Sequence, residues 1–318
     1  MLRYDFIIVG AGSAGSALAN RLTKNPDNRV LLLEAGGADS HPWVRIPMGY
    51  GKVFYDQRVN WKYTTEPNET LDGNRIYWPR GKVMGGSSSI NAMVYVRGHP
   101  QDYDHWAKDA PGWSWTDVAP VFKRMENWVG AANPDRGRDG PLTVRDIADD
   151  AHPLCANYLT AAEQAGFAYN PDYNSGQMEG AALYQITTKN GLRASAARVY
   201  ITPIQHRSNL TIALRAHVQK LCFEGRKVTG VRYLQKGQLK TAHARAEVIL
   251  CSGAINSPQL LQLSGIGPGA LLQAHNIPVV QDMPQVGRNL KDHLGADLHY
   301  RSKVQTLNQV LRPLSGKI

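Results

Sequence analysis

The chain has 318 residues, of which 42% are hydrophobic and 19% are charged, and this ordinary globular composition excludes a largely disordered protein. The 36 basic and 26 acidic residues give a formal net charge of +10, yet the basic residues form no run typical of a nucleic-acid-binding tail. We therefore predict no nucleic-acid partner. The length allows two domains or one large α/β domain.

The three cysteines, Cys155, Cys222 and Cys251, show neither a CxxC motif nor metal-ligand spacing. They predict buried small side chains in a reducing compartment and no metal site. The sequence contains no apolar run of transmembrane length, and an apolar strand begins too early to leave room for a signal peptide. We expect a cytoplasmic protein, with peripheral association at the inner face of a membrane as an open alternative because of the positive charge.

The first 34 residues contain two apolar stretches around a glycine-rich turn. Residues 4–9 predict a buried strand, residues 10–15 read GAGSAG, residues 16–23 have helical apolar spacing, and residues 29–34 predict a second strand that ends in Glu34. This order is the dinucleotide-binding fingerprint of a βαβ unit. At this point NAD, NADP and FAD all remain open.

Each residue of this fingerprint has a physical role. Gly10 allows the turn out of the strand, Gly12 lets the backbone approach a pyrophosphate, and Gly15 lets the helix pack on the strand. The N-terminus of the helix offers free N–H groups and a partial positive charge to phosphates. Glu34 is placed to accept hydrogen bonds from an adenosine ribose.

Residues 35–75 predict a long irregular excursion that is rich in glycine, proline and aromatic residues. Loops of this length are usually functional or disordered, and the aromatic content argues against disorder. An ordered cover over a ligand and a surface loop with its own small cluster are equal alternatives.

A second informative stretch, RGKVMGGSSSIN, occupies residues 80–91. Gly85, Gly86 and three serines offer many hydrogen-bond donors with little bulk, which suits close approach to an anionic or planar polar ligand. Asn91 is predicted to begin a helix. A plain glycine–serine linker is the alternative, but the apolar and aromatic flanks disfavour it.

Further along the chain, periodicity predicts several regular elements. Helices are expected at 114–128, 153–165, 193–200 and 257–263, and strands at 140–144, 210–214 and 247–251. Residues 218–223 and 227–234 are expected to form a hairpin.

A third block, SGAINSPQLLQLSGIGP at 252–268, is followed by VGRNLKDH at 286–293. Together with the glycine turn and the 80–91 block, these motifs closely resemble the glucose–methanol–choline oxidoreductases over the whole chain. The resemblance implies FAD as the cofactor and oxidation of an alcohol by hydride transfer to the flavin. It implies an α/β fold with a Rossmann-like FAD-binding domain and an inserted α+β substrate domain that is incomplete here.

The resemblance also implies domain limits and site residues. The FAD-binding domain is expected at 1–150 and 190–295, and parts of the substrate domain at 151–190 and 296–318. Val218 is expected beside the adenine, residues 252–254 beside the ADP half, and Asn91 beside the flavin. The expected cofactor-binding residues are Gly10, Gly12, Ser13, Ala14, Gly15, Glu34, Ala35, Arg80, Val83, Gly85, Gly86, Ser87, Asn91, Ala92, Met93, Val94, Val218, Ser252 and Gly253.

None of the ten histidines matches the family's catalytic motif. The resemblance therefore places the catalytic histidine beyond Ile318, and we expect an N-terminal fragment or a naturally short chain with little or no turnover. We predict surface or capping roles for the histidines that are present. Ile90 stands where some relatives carry a histidine covalently attached to FAD, so we predict dissociable FAD.

Leu294 and Gly295 stand where choline-oxidising relatives tend to carry a glutamate that holds the trimethylammonium group. This difference favours a neutral primary alcohol, of the aliphatic class, over choline. The 81–97 block is most similar to bacterial alcohol dehydrogenases, which implies a quinone or other acceptor. The alternatives are a choline dehydrogenase, a nicotinamide-dependent dehydrogenase and a catalytically inert FAD-binding fragment. The oligomeric state is not assigned.

Overall fold

The computed structural model describes residues 2–293 and 295–309. The expectations attached to Leu294 and to Ile318 therefore lie outside the described residues. The chain forms two compact units. The first comprises the described residues up to Met93 together with Thr188–Lys291, and the second comprises Val94–Thr187 and the described residues from Asp292 onward. Residues 94–150, which the sequence placed with the nucleotide-binding part, therefore lie in the second unit. The assignment of cofactor and substrate to the two parts stays a prediction.

The longest strands belong to the first unit's main sheet. In chain order they are β1 (Leu2–Val9), β2 (Val30–Leu33), β3 (Tyr63–Thr64), β4 (Tyr77–Trp78), β5 (Glu126–Val129), β6 (Leu142–Arg145), β7 (Thr188–Lys189), β8 (Leu192–Arg193), β9 (Leu210–Ala213), β10 (Ala216–Glu224), β11 (Lys227–Gln235), β12 (Gln238–Leu250), β13 (Ile266–Gly267) and β14 (Gln281–Asp282).

The α-helices are also short. They are α1 (Ser13–Leu22), α2 (Pro42–Arg45), α3 (Tyr50–Val53), α4 (Pro100–Trp106), α5 (Trp115–Met125), α6 (Leu154–Gln164), α7 (Gly253–Leu263) and α8 (Gly269–Ala274). Single turns of 3₁₀-helix lie at Pro47–Gly49, Glu69–Leu71, Gly86–Ser89, Ala148–Asp150 and Thr202–Ile204, and a π-helical turn lies at Ala197–Ile201. None of the helices in the described ranges is both long and apolar enough to span a membrane.

The first unit is built on a six-stranded sheet in the order β10-β11-β12-β1-β2-β9. Strands β12, β1, β2 and β9 run parallel, whereas β10, β11 and β12 form an antiparallel meander. A parallel sheet needs crossover connections, and α1 supplies the one between β1 and β2. This arrangement is the Rossmann-like fold that the first 34 residues predict.

The core lies on both faces of this sheet, because successive side chains of a strand point to opposite faces. Ile7, Val9, Leu31 and Leu33 belong to the cluster on one face, and Ile8, Val30 and Leu32 belong to the cluster on the other. Burial on both faces explains why β1 and β2 read as continuous apolar runs rather than as alternating ones. Each such side chain contributes roughly 1.5–3 kcal/mol of stabilisation.

Most of the predicted elements are confirmed, with shifted ends. The predicted hairpin is formed by β10 and β11, and the helix predicted at 114–128 ends at Met125 because the chain then enters β5. The strand predicted at 247–251 is the end of the longer β12. The helix predicted at 193–200 is only the π-helical turn Ala197–Ile201.

The helix predicted to begin at Asn91 is wrong. A 3₁₀ turn at Gly86–Ser89 precedes Asn91. The residue before this turn, Gly85, and its first residue, Gly86, have φ of 89° and 58°. These positive φ values suit glycine and turn the chain sharply. The Oδ1 atom of Asn91 accepts a hydrogen bond from the N–H of Met93 at 3.1 Å, which closes a local turn instead of a helix.

The second unit contains the parallel pair β5 and β6 and a small core around Trp128 and Val144. The carboxylate of Glu126 is fully buried in this unit and forms ion pairs with the guanidinium groups of Arg97 and Arg136. Such a buried carboxylate is tolerated in a core only because it is paired and hydrogen-bonded.

Candidate functional site

A cavity of about 480 Å³ opens in the first unit at the carboxyl ends of its parallel strands. Val9 at the end of β1, Leu33 at the end of β2 and Leu250 at the end of β12 line it. Its volume is within the roughly 300–1,000 Å³ typical of small-molecule sites.

The helices that follow β1 and β12 lie on opposite faces of the sheet. Ala19 of α1 packs in the cluster that contains Ile8, whereas Leu260 of α7 packs in the cluster that contains Ile7. The chain therefore leaves two adjacent parallel strands in opposite directions, which opens a crevice between them. Ligands of open α/β sheets bind at such a switch point.

The N-termini of both helices contribute to the cavity wall. Gly12, Ser13 and Ala14 at the start of α1 line it, as do Ser252 and Gly253 at the start of α7. The first N–H groups of a helix have no intrahelical acceptor and carry a partial positive charge. Two helix N-termini facing one cavity favour an anionic ligand such as a phosphate.

Glu34 is an acidic residue in the cavity wall, and it is only 6% exposed. Its Oε2 accepts a hydrogen bond from the N–H of Ala11 at 3.0 Å, and its Oε1 accepts one from the N–H of Gly36 at 2.8 Å. Burial raises the pKa of Glu34, while these two bonds and the charge of Lys82 act in the opposite direction. Each oxygen keeps a lone pair that can accept a further bond from a ligand hydroxyl.

The 80–91 block packs directly on the glycine turn. The N–H of Gly85 donates to the carbonyl of Ala11 at 2.8 Å. A Cβ on Gly86 would lie 2.7 Å from the Cα of Gly12, so only glycine fits at Gly86 without displacement. A Cβ on Gly12 would be 3.9 Å from its nearest neighbour, Gly86. Gly12 therefore leaves open space on the side of the cavity, into which a ligand can approach.

Gly10 and Gly15 both allow close backbone packing in the first unit. A Cβ on Gly10 would lie 2.5 Å from the carbonyl oxygen of Cys251, and a Cβ on Gly15 would overlap the carbonyl oxygen of Gly10. Gly10 also has φ of 102° and lines the cavity, whereas Gly15 does not appear in its wall. The predicted roles of these two glycines in the turn and in helix packing are thus seen in the structure.

The three serines after Gly86 have different surroundings. Ser87 lines the cavity, and its hydroxyl accepts a hydrogen bond from the N–H of Gly81 at 3.1 Å. The hydroxyls of Ser88 and Ser89 donate to the carbonyls of Gly85 and Met84. Two of the three serines therefore hold the loop together rather than face a ligand.

The structure brings twelve of the expected cofactor-binding residues to the cavity wall, namely Gly10, Gly12, Ser13, Ala14, Glu34, Ala35, Arg80, Gly86, Ser87, Val218, Ser252 and Gly253. The other seven lie elsewhere: Gly15, Val83, Gly85, Asn91, Ala92, Met93 and Val94. Val83 is fully buried, and Met93 is 5% exposed. Asn91, Ala92 and Val94 are exposed. Cofactor contacts for all of these residues stay predictions.

Sequence reasoning missed an aromatic group at the cavity. Trp61 and His217 line the cavity, with ring centroids 5.4 Å apart, and the Lys82 ammonium lies 4.5 Å from the centroid of the Trp61 ring. Tyr63 stacks on Trp61 at 5.9 Å. The aromatic composition of residues 35–75 was the available signal, and the cover hypothesis used it, but no local pattern indicated which ring reaches the cavity.

The surroundings of His217 favour the uncharged form of its imidazole. Partial desolvation and the nearby charge of Lys82 both lower the pKa of His217. His41 and His99, by contrast, accept hydrogen bonds from the N–H groups of helix N-termini, as the capping prediction expects. Within the described residues, no group of three or more His, Cys, Asp or Glu side chains is arranged to hold a metal.

The fold and the cavity define a Rossmann-like α/β protein with a small-molecule-sized cavity at its switch point. The model of the GMC oxidoreductase family matches residues 4–295. The chain therefore belongs to the GMC oxidoreductase family, as the three sequence blocks predict.

Curated relatives agree with this assignment. The chain is 46% identical to alcohol dehydrogenase [acceptor] of Pseudomonas putida over 301 residues, which are 93% of this chain and 54% of that protein. It is 43% identical to oxygen-dependent choline dehydrogenase of Vibrio vulnificus over 308 residues, or 96% of this chain and 55% of that protein. The chain spans about half the length of the curated relatives it matches.

Among solved structures, the chain is similar to an FAD-dependent oxidoreductase from Chaetomium thermophilum. The TM-score is 0.82 at 31% identity, and the similarity covers 88% of this chain and 51% of that one. The likeness extends over both units of the chain.

Proposed function

We propose that the cavity of the first unit binds the ADP half of FAD. The observation that carries this proposal is the switch-point cavity, in which the N-termini of α1 and α7 and the carboxylate of Glu34 face one space. Phosphates suit the helix N-termini, and a ribose diol suits a carboxylate with free lone pairs. The open side of Gly12 supplies the close backbone approach that a pyrophosphate needs.

We assign the adenine and the flavin of FAD to two further groups of residues. Val218 and the Trp61–His217 pair lie together in the wall and offer a mainly apolar and aromatic surface for the adenine. By family resemblance, the segment from Asn91 to Val94 contacts the flavin. FAD in place of NAD is supported by the family match and by the packing of the 80–91 block on the glycine turn.

We propose that FAD is held without a covalent bond. Ile90, at the position of the covalently linked histidine of some relatives, is 2% exposed and packs in an apolar cluster with Val44, Val53, Val59 and Val83. The hydrocarbon side chain of isoleucine has no nucleophilic atom with which to form a covalent bond to a flavin. Acid precipitation should therefore leave the flavin in the supernatant, and flavin retained in the pellet would contradict the proposal.

We propose further that the whole protein oxidises the CH–OH group of a primary alcohol, with a quinone or other acceptor receiving the electrons. Bound FAD supplies the two-electron acceptor for this class of reaction. The similarity to the Pseudomonas putida alcohol dehydrogenase supports this choice. Choline is the second candidate substrate because the chain is almost equally similar to a choline dehydrogenase.

Two measurements test these proposals. The purified protein should show flavin absorbance, and a colourless protein that binds NAD would overturn the FAD assignment. Anaerobic stopped-flow mixing with a series of primary aliphatic alcohols and with choline should bleach the flavin fastest with an aliphatic alcohol. Faster bleaching by choline would select the second candidate, and no bleaching by any of them would indicate an FAD-binding protein without this activity.

A further inference from the structure

Arg193 is only 4% exposed, and its guanidinium group is buried beneath the 80–91 block. Its Nε donates to the carbonyl of Val44 at 2.9 Å. Its Nη1 donates to the carbonyl of Asn91 at 2.6 Å and to the Oδ1 of Asn91 at 2.8 Å, with a longer bond of 3.2 Å to the carbonyl of Ser88. Arg193 therefore joins the residues after the serine loop to helix α2.

The positive charge of Arg193 has no counter-ion in the part of the chain that the structure describes. Its Nη2 atom is buried there without a hydrogen-bond partner. The two buried arginines of the second unit, Arg97 and Arg136, instead pair with the carboxylate of Glu126. Burial lowers the pKa of Arg193 to about 10, so the group is still charged at neutral pH.

An unpaired buried cation destabilises a fold, so packing alone is a poor reason for it. The segment that Arg193 holds is itself strained. Met93 has φ of 64°, a value that non-glycine residues rarely adopt, and its N–H donates to the same Asn91 Oδ1 that Arg193 binds. Arg193 thus orients the Asn91 side chain, which in turn fixes the backbone at Met93.

We propose that Arg193 is a positioning residue for the flavin end of the cofactor. It holds the segment from Asn91 to Met93 in its strained form, and its unpaired charge favours negative charge on the part of the ligand bound there. This inference rests on the proposed function, in which the ADP half occupies the cavity and this segment contacts the isoalloxazine.

The experiment compares the affinities of the apoprotein for ADP and for FAD by calorimetry. The variants are Arg193→Met, which removes the hydrogen bonds and the charge, and Arg193→Lys, which keeps the charge but cannot form the same set of bonds. Arg207→Met is the matched control. Arg207 donates to the carbonyl of Asn20 at 3.0 Å and to the hydroxyl of Thr23 at 2.8 Å, at the end of α1 opposite to the cavity.

We expect all variants to bind ADP as the unchanged protein does. Arg193→Met should bind FAD about tenfold more weakly, which is about 1.4 kcal/mol, and Arg207→Met should not. The reduction potential of the bound flavin should fall in Arg193→Met and be largely kept in Arg193→Lys. Asn91→Ala, at an exposed residue, should reproduce part of the loss in FAD affinity without loss of the potential.

The outcomes separate the two proposals. If the unchanged protein does not bind ADP, the proposed cofactor site is wrong. If ADP binds but the ratio of FAD to ADP affinity and the potential are unchanged in Arg193→Met, the role of Arg193 is wrong. Failure of both Arg193 variants to fold, measured by circular dichroism, together with an unchanged FAD affinity in Asn91→Ala, would show a purely structural role and overturn the inference.

Discussion

Two glycines that touch each other should respond to alanine in opposite ways. Gly86 has φ of 58°, and a Cβ there would lie 2.7 Å from the Cα of Gly12. The left-handed backbone costs a non-glycine residue roughly 1–2 kcal/mol, and overpacking adds about 1–3 kcal/mol. We therefore expect Gly86→Ala to lower the free energy of unfolding by about 2–5 kcal/mol.

Gly12 has φ of −71° and ψ of −164°, which an alanine adopts without strain, and the nearest atom to its Cβ would be 3.9 Å away. Replacing a glycine in such a conformation stabilises a protein by about 0.4–1 kcal/mol, so we expect Gly12→Ala to fold at least as stably as the unchanged chain. The added methyl group would stand in the cavity, where the proposed pyrophosphate passes. FAD affinity should therefore fall at least tenfold, which is about 1.4 kcal/mol.

The assay has two parts. Denaturant unfolding of the apoprotein, followed by circular dichroism, gives the stability of each variant, and calorimetric titration with FAD gives its affinity. If Gly12→Ala bound FAD as tightly as the unchanged chain, the pyrophosphate would not lie over Gly12 and the assignment of the cavity would be refuted. If Gly86→Ala were as stable as the unchanged chain, the close packing of the 80–91 block on the turn would be wrong.

Four further predictions concern three buried side chains. Glu34→Gln should weaken FAD binding about tenfold, because one of the N–H groups of Ala11 and Gly36 loses its acceptor. Titration calorimetry with FAD measures the change. Burial raises the pKa of Glu34 above its usual 4.5, so ionisation of this carboxyl destabilises the folded apoprotein as the pH rises. The unfolding free energy of Glu34→Gln, taken relative to that of the unchanged apoprotein, should therefore increase from pH 4.5 upward. A difference that shrinks over this range would contradict the sign. Leu32→Ala, at a fully buried position of β2, should cost about 2–5 kcal/mol in denaturant unfolding, and a loss below 1 kcal/mol would show that the core relaxes around it. Glu126→Gln leaves Arg97 and Arg136 without their shared carboxylate and should cost about 3–5 kcal/mol, whereas a melting temperature equal to that of the unchanged chain would refute the importance of the network.

The sequence alone determined the elements whose cause is local. β1, α1 and β2 follow from apolar runs of fixed length around a glycine turn, because burial on both faces needs continuous apolar strands. The hairpin of β10 and β11 follows from two strand-like runs around Gly225. These patterns, with the motifs at 80–91 and 252–268, were sufficient for the family.

Only the tertiary structure decided which residues far apart in the sequence come into contact. The turn that replaces the helix expected at Asn91 is bound through the Asn91 side chain by Arg193, which lies about a hundred residues later in the chain. Trp61 and His217 meet at the cavity although no spacing relates them. The boundary at Met93 likewise depends on pairing within the second unit, such as the bond between the N–H of Tyr95 and the carbonyl of Gln185. Local propensities specify strands and turns, but contacts between remote residues depend on packing, which no single stretch of sequence encodes.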